Sequence, residues 1–378
     1  DASDPNSIPS RYEFRTNITS LAWRSKITDK WTSNLTVGYY GYDSDTSSIF
    51  GNYYYNIRNV QLAWRNSYEW NKRNSTTFGL EWVRSKYESK AGALRDAADG
   101  SLDNTYSIFA EHTLRPTERW VNSVAVRLDS SSIYDEHATF RAASSYKFPS
   151  GTRVFGSIGT GYNAPSQFQR SNSSYTAWGT RWTGNPDLDC ETSVSMDLGV
   201  EQQIAENHYL SATLFHTRTQ DAIEAAPTAD PGTNTYRNST AHQTCQGIEL
   251  AARGTFGDSG KTGYTLAYTY THPEASDRQL ANTARHTFYA DVHVSPWEKF
   301  TTGIGLTAAA QRTGWDAGRL DNYYTLRWYA RYDVTENLSL HFRVENLTNQ
   351  KFVTQPGFFA PSILGAGVGV FGGCTLRF

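Results

Sequence analysis

The chain is organised by a two-residue period. Leu326, Trp328, Ala330 and Tyr332 alternate with Thr325, Arg327, Tyr329 and Arg331. Phe288, Ala290, Val292 and Val294 alternate with Thr287, Tyr289, Asp291 and His293. The same alternation recurs at 194–200, 264–271 and 338–345. Side chains two apart share one face of a strand, so each segment carries an apolar and a polar face. No segment repeats at the helical spacing, and the reading is all-β.

The connections alternate too. Short polar turns fall near Asp29, Lys72, Thr117, Ser150, Glu206, Asp258, Glu298 and Glu336. Longer segments rich in Gly, Ser, Asn and Asp fall between them, near 43–52, 89–103, 165–189, 226–236, 273–285, 312–322 and 353–364, and a shorter link lies near 130–136. Tight turns at one end and long loops at the other are the pattern of an antiparallel transmembrane β-barrel of the bacterial outer membrane. Eight turns and a last long loop give about seventeen strands. A soluble propeller is the competing reading. Strands of ten or more residues, long enough to cross a hydrocarbon layer when tilted, count against it. So do Tyr and Trp near the strand ends and the lack of a blade-length repeat.

Composition narrows the function classes. No run approaches the ~18 apolar residues of a membrane helix. A net charge of -2 gives no reason to expect a nucleic-acid partner. Three cysteines, Cys190, Cys245 and Cys374, allow at most one disulfide. The nine His form no metal-ligand spacing, and no nucleophile elbow is present, so the reading is of a non-enzyme without metal or cofactor. Short turns mark the periplasmic side, so the first strand, 12–27, and the last, 365–378, both run toward the periplasm. A single-chain barrel has both ends there, so the expectation is that strands are missing before Asp1.

Four stretches resemble TonB-dependent outer-membrane receptors, most closely the vitamin B12 and siderophore group. GTGYNAP at 159–165, a long loop, and NPDLDCETS at 185–193 resemble one motif pair. TCQGIEL at 244–250 and VENLTNQKF at 344–352 resemble two more, and Phe378 is an aromatic last residue. Cys190 stands where that family usually has Pro. The resemblance implies a barrel of the roughly 22-stranded type, with the first strands and the plug domain outside this chain. It implies active import of a bulky, scarce ligand, a metal chelate such as a corrinoid or siderophore, with TonB engaged through the plug. Lipopolysaccharide and the barrel-assembly machinery are the further partners expected. The absence of His between Pro165 and Asn185 argues against haem. The alternative is a passive, plugless pore or docking scaffold.

Candidate ligand contacts lie in the motif-bearing loop 166–184. Phe168, Arg170, Tyr175, Trp178, Arg181 and Trp182 interleave aromatic faces with guanidinium groups, which suits a bulky anionic or planar ligand. Phe358 and Phe359 in the last long loop are a second candidate group. Gly373, Leu376 and Phe378 form the expected C-terminal assembly signal. Arg327, Arg331, Asp333, Arg343, Glu345, Asp197, Glu201 and Glu249 fall on the polar side, where a wet interior pairs charges across strands. The GVGVFG run at 367–372 matches a dinucleotide fingerprint in letters only. No helix follows it, so its glycines are read as strand glycines.

Overall fold

The computed structural model describes residues 10–48, 51–91, 99–170, 174–177, 180–257, 262–275, 278–314, 316–356 and 362–377. Seventeen long strands carry the fold. They are β1 (Ser10–Lys26), β2 (Trp31–Ser48), β3 (Gly51–Asn71), β4 (Asn74–Ala91), β5 (Asp99–Thr117), β6 (Trp120–Ser131), β7 (His137–Lys147) and β8 (Thr152–Asn163). Then follow β9 (Glu191–Ala205), β10 (His208–Gln220), β11 (Gln243–Phe256), β12 (Thr262–Ala275), β13 (Ala284–Trp297) and β14 (Phe300–Thr313). β15 (Tyr323–Asp333), β16 (Leu338–Glu345) and β17 (Gly369–Leu376) complete the set. One helical turn, Gln167–Arg170, is the longest helix among the described residues.

The chain divides into two compact units, the first made of 1–144, 158–194 and 219–242, the second of 145–157, 195–218 and 243–378. In the first unit β1 to β6 pair in sequence order, each antiparallel to the next. The register puts Leu35 beside Trp64, Trp64 beside Leu80, Leu80 beside Ile108 and Ile108 beside Leu128. Large apolar side chains thus line up across five strands on one face, and they are exposed there. A soluble protein would bury such a stripe, whereas a membrane wall turns it to acyl chains.

The opposite face is polar. Arg127 donates from Nε to Asp129 at 2.9 and 3.0 Å and from Nη2 to Ser107 Oγ at 2.7 Å. Ser107 donates to Asp129 at 2.5 Å, and Glu81 lies 3.6 Å from Arg127. Arg65 and Arg127 sit over the Phe109 ring at 5.7 and 5.8 Å.

In the second unit β11 to β17 likewise pair in order. Val292, Ile304 and Trp328 stand side by side on the apolar face, and Asp291, Gly305 and Arg327 on the polar one. Arg327 reaches across β14 to Asp291 at 3.0 Å and to the Tyr289 hydroxyl at 2.8 Å, while Tyr329 donates to Asp291 at 2.8 Å. The intervening strand has to be flat for this. A Cβ on Gly303 would stand 2.4 Å from the Tyr329 ring, and one on Gly305 2.9 Å from Arg327 Nε.

Other expected interior charges pair as well. Asp197 accepts from Ser157, Glu201 meets Arg153 and Arg253, Arg331 meets Asp333, and Arg343 meets Glu345.

The strand count is found, and so are seven of the eight expected turns; the one near Asp258 lies outside the described residues. Three of the expected long loops are partly strand. At 43–52 the described residues, 43–48 and 51–52, are strand, in a ladder paired continuously from Trp31 with Tyr68 to Ser48 with Gly51. At 89–103, β4 runs on to Ala91 and β5 begins at Asp99, and at 273–285 most of the segment is strand. These strand ends are polar on both faces, so the apolar alternation stops while the hydrogen-bond ladder continues. A tilted crossing needs about 9–11 residues, and β2 to β5 have 18, 21, 18 and 19. Their long-loop ends therefore project past the apolar band.

Candidate ligand-binding site

The described residues of the loop 166–184 belong to a folded structure. Four short strands form a mixed sheet in the order Ile223–Pro227, Thr233–Asn238, Thr180–Thr183, Ser174–Ala177. The middle pair is parallel, with Arg181 beside Thr233 and Trp182 beside Asn234.

The motif residues hold this sheet. Asn185 donates from its backbone to Gln169 O at 2.8 Å and from Nδ2 to Tyr236 O at 3.0 Å, and accepts from Asp187 N at 2.9 Å. Leu188 is 3% exposed. Asn238 accepts from Asp189 N at 3.0 Å and donates to Asp189 O and Asp221 O at 3.0 and 2.7 Å. Glu191 accepts from Asn163 Nδ2 at 2.8 Å and Ile223 N at 2.7 Å. The motif side chains of Asn185 and Glu191, with Asn238, thus partner backbone groups of the sheet and its approaches.

The sequence candidates occupy different places in this assembly. Arg170 ends the helical turn and donates from Nη1 to Leu188 O at 3.0 Å. It also faces Cys190, a buried free thiol whose pKa burial pushes up to about 11 while the guanidinium opposes the rise. Trp182 is half-buried, its ring centroid 5.8 Å from that of Tyr236, and Arg181 is exposed with its backbone N on Gly232 O at 2.8 Å. Trp178, Phe358, Phe359 and Phe378 lie outside the described residues, as do the side chains of Phe168 and Tyr175. Gly373 and Leu376 fall in β17 beside His341 and Leu338, on opposite faces.

The last long loop is anchored by a column. Arg312 lies 4.6 Å over the Tyr323 ring, and Tyr323 stacks on Phe352 at 4.1 Å and 7°. A Cβ on Gly365 would meet Phe352 at 2.2 Å. Asn346, 5% exposed with φ of 48°, donates to Gln350 O and Ala366 O and accepts from Gln350 N. The VENLTNQKF motif is thus another loop staple. The motif glycine Gly247 is similarly forced, because a Cβ there would stand 1.9 Å from Tyr270 O.

One group escaped the sequence reading. On the polar face of the projecting ends of β2 to β4 stand Tyr40, Tyr42, Tyr53, Tyr55 and Tyr87, all half-buried. The register sets Tyr42, Ile57 and Tyr87 in one row, and Ser44, Tyr55 and Ser89 in the next. Consecutive tyrosines such as Tyr39-Tyr40 and Tyr53-Tyr54-Tyr55 occupy both faces, so period two gives no assignment until the register is known. Among the described residues no group of three His, Cys, Asp or Glu is placed to hold a metal ion.

Comparison with known proteins now fixes the family. The family model "TonB dependent receptor-like, beta-barrel" matches residues 1–347. The vitamin B12 transporter BtuB of Photobacterium profundum is 25% identical over 305 residues, 77% of this chain and 46% of the relative. The chain spans about half the length of the curated relatives it matches. Among solved structures, the copper transporter OprC superposes with a TM-score of 0.79 at 15% identity, covering 97% of this chain and 68% of that one. The ferric enterobactin receptor PfeA from Pseudomonas aeruginosa also gives 0.79, at 16% identity, covering 97% and 62%. These likenesses establish the barrel fold; the apolar stripe is its lipid face and the polar face its interior. The chain therefore belongs to the TonB-dependent receptor-like β-barrel family of the bacterial outer membrane.

Proposed function

We propose that the chain forms the wall and outer loops of a receptor for active, TonB-coupled import of a bulky, scarce nutrient, a metal chelate such as a corrinoid or a siderophore. The observation that carries this reading is the folded loop sheet. A pore gains nothing from loops stapled by Asn185, Asn238 and Glu191, whereas a receptor needs a preorganised capture surface. In this reading Phe168, Tyr175, Trp178, Arg181 and Trp182 contact the ligand, Arg170 shapes the loop beneath them through Leu188 O, and Phe358 and Phe359 are further contacts. The wall breaks no covalent bond. A plug domain engages TonB, lipopolysaccharide surrounds the outer rim, and Gly373, Leu376 and Phe378 present the assembly signal to the barrel-assembly machinery.

The test is uptake of labelled vitamin B12 and of a ferric siderophore by cells that lack their own receptors and express the full-length protein. Accumulation that stops when TonB is deleted or the proton gradient is collapsed supports import. Uptake that continues unchanged supports the passive pore.

A further inference from the structure

We propose that the lipid-facing side of the first unit holds a lipopolysaccharide molecule of the outer leaflet, with a lipid A phosphate on Arg84 and Lys86 and acyl chains in the apolar hollow beneath them. This deepens the lipopolysaccharide contact named above and rests on the outer-membrane placement, whatever the barrel imports. The observation is an asymmetry between the two margins of one face, the face of the exposed apolar stripe. At the short-turn margin its rows hold Trp31, Tyr68, Thr76, His112 and Val124. That row and the next one toward the stripe, from Ser33 to Val126, contain no Lys, Arg, Asp or Glu. The long-loop margin is different. Above the row of Leu62, Trp82 and Tyr106 come Val60, Arg84 and Asn104, and then Arg58, Lys86 and Leu102. The two rows next to the apolar band carry cations and no acid. Acids begin one row further out, where Asp43 and Glu88 stand with Arg15 and Asn56, and a row beyond that holds Glu13, Asp45, Tyr54 and Lys90.

Cations that merely snorkel from an apolar band would serve at either margin. Cations at one margin only fit a leaflet whose lipid brings more negative charge than the other. On the long-loop side that leaflet is the outer one, where lipid A carries phosphate groups. Arg84 is exposed and makes no hydrogen bond or ion pair among the described residues. Its guanidinium offers paired N–H donors to phosphate oxygens. Lys86 is two residues on along β4, about 7 Å away on the same face. Its Nζ lies 2.6 Å from Glu88, which leaves two of its three donors. Arg58 is spent on protein, bonded to Asp43 at 2.8 and 2.9 Å and to the Tyr42 and Ile57 carbonyls. It ties β3 to β2 and leaves the phosphate to Arg84 and Lys86.

The hollow supplies the rest. Trp82 and Leu80 follow Arg84 down the same face, and with Leu62, Trp64, Tyr106 and Ile108 they line a hollow of about 920 Å³. Of the acids in its lining, Glu81 and Asp129 belong to the inward rows, and Glu136 accepts from Ser130 Oγ at 3.4 Å. A free phosphate ion has no use for such a surface, and an uncharged lipid has none for the cations. A lipid with phosphate above and chains below uses both. Its chains give the lining side chains the contacts that an empty hollow forfeits.

The experiment uses the full-length receptor in detergent micelles, with binding read by native mass spectrometry. The probes are bisphosphorylated lipid A, dephosphorylated lipid A, the deacylated lipid A headgroup and phosphatidylglycerol. Wild type is expected to bind bisphosphorylated lipid A most tightly of the four. Arg84→Ala with Lys86→Ala should weaken that binding about 30-fold, at about fivefold for each cation beside a charged membrane surface. Arg84→Lys with Lys86→Arg keeps both charges and should stay within about fivefold. Heat-modifiable gel mobility checks that each variant is folded. Unchanged affinity in the folded double-Ala variant would overturn the proposal. So would equal affinity for the dephosphorylated lipid or the deacylated headgroup, and tighter binding of phosphatidylglycerol would assign the site to a phospholipid instead. Whole-cell uptake separates this site from import. TonB-dependent uptake in a receptor whose lipid A binding ignores these cations removes the site and leaves import standing. Cation-dependent lipid A binding without energy-dependent uptake keeps the site and removes import.

Discussion

The inner faces of the two units treat polar side chains differently. In the second unit, Arg327, Asp291, Tyr289 and Tyr329 close on one another over the flat strip made by Gly303 and Gly305. Their hydrogen-bonding capacity is used within the wall. In the first unit, the projecting ends of β2 to β4 keep charge off the inner face and present five tyrosines there. The first unit has such a network too, where Arg127 bonds Asp129 and Ser107, so the contrast lies between the middle of a wall and its projecting ends, where Tyr42 pairs with Tyr12 of β1. It also leaves the paired interior charges, such as Arg331 with Asp333 and Glu201 with Arg153, as contacts that hold the wall.

The largest effect should come from disturbing the flat strip. Gly303→Val puts a branched side chain where the Tyr329 ring lies, 2.4 Å from the Cβ position. Either Tyr329 leaves Asp291 or β14 bulges. Overpacking of this kind costs about 1–3 kcal/mol, and the upper end is expected here because two contacts break together. The measurement is the urea midpoint of the full-length protein in lipid vesicles, followed by tryptophan fluorescence. A midpoint equal to wild type would mean that the strip is not a constraint.

Next comes Asp291→Ala, which strips Arg327 and Tyr329 of their shared acceptor. Arg327 is 37% exposed, so solvent screens part of the loss, and about 2 kcal/mol is expected. Adding Arg327→Ala should cost less than the two single changes summed, by about 1 kcal/mol. Strict additivity would break the picture of a closed network.

How much of this was legible in the chain follows from where the solvent changes. Inside the apolar band, Leu338, Leu340, Phe342 and Val344 betray their face because one side meets lipid and the other water. That asymmetry gave the strand count and the eight turns. Beyond the band it vanishes, and 43–52 read as loop although 43–48 and 51–52 are paired strand. The tyrosines were hidden for the same reason. Tyr53, Tyr54 and Tyr55 in a row fit either face, and only the register of β3 against β2 and β4 sorts them. The loop motifs were readable as a resemblance. Their task as staples, with Asn185 on Tyr236 O and Asn346 on Ala366 O, depends on segments up to 51 residues apart and is set by tertiary contact.

Asn346→Ala tests the staple reading on the second unit's loop. It removes one side-chain acceptor and two donated bonds at a position with φ of 48°, which Asn tolerates better than Ala. The expected loss is about 1–2 kcal/mol, seen chiefly as faster proteolysis within 346–368 and little change in the strands. Protection equal to wild type would mean the loop is held by the Arg312 column alone.

The smallest effect is chemical and bears on Arg170. The buried Cys190 thiol, pushed up to about 11, should be about one part in a thousand thiolate at pH 8, against roughly a quarter for a free thiol near 8.5. Alkylation of Cys190 in a Cys245→Ser, Cys374→Ser background should therefore be about 200-fold slower than that of a model thiol, and should climb tenfold per pH unit toward pH 11. The folded pKa lies above the unfolded one, so the thiol's contribution to stability is complete below about pH 8.5 and is lost as pH rises through 11. Arg170→Ala then decides what the guanidinium does. As a mere neighbouring cation, its loss raises the thiol pKa further and slows alkylation. As the clamp on Leu188 O, its loss opens the loop, lets water reach Cys190 and speeds alkylation. The clamp reading requires the faster rate, and with it ligand capture that falls through loss of loop order at an Arg whose Nη1 stays on protein.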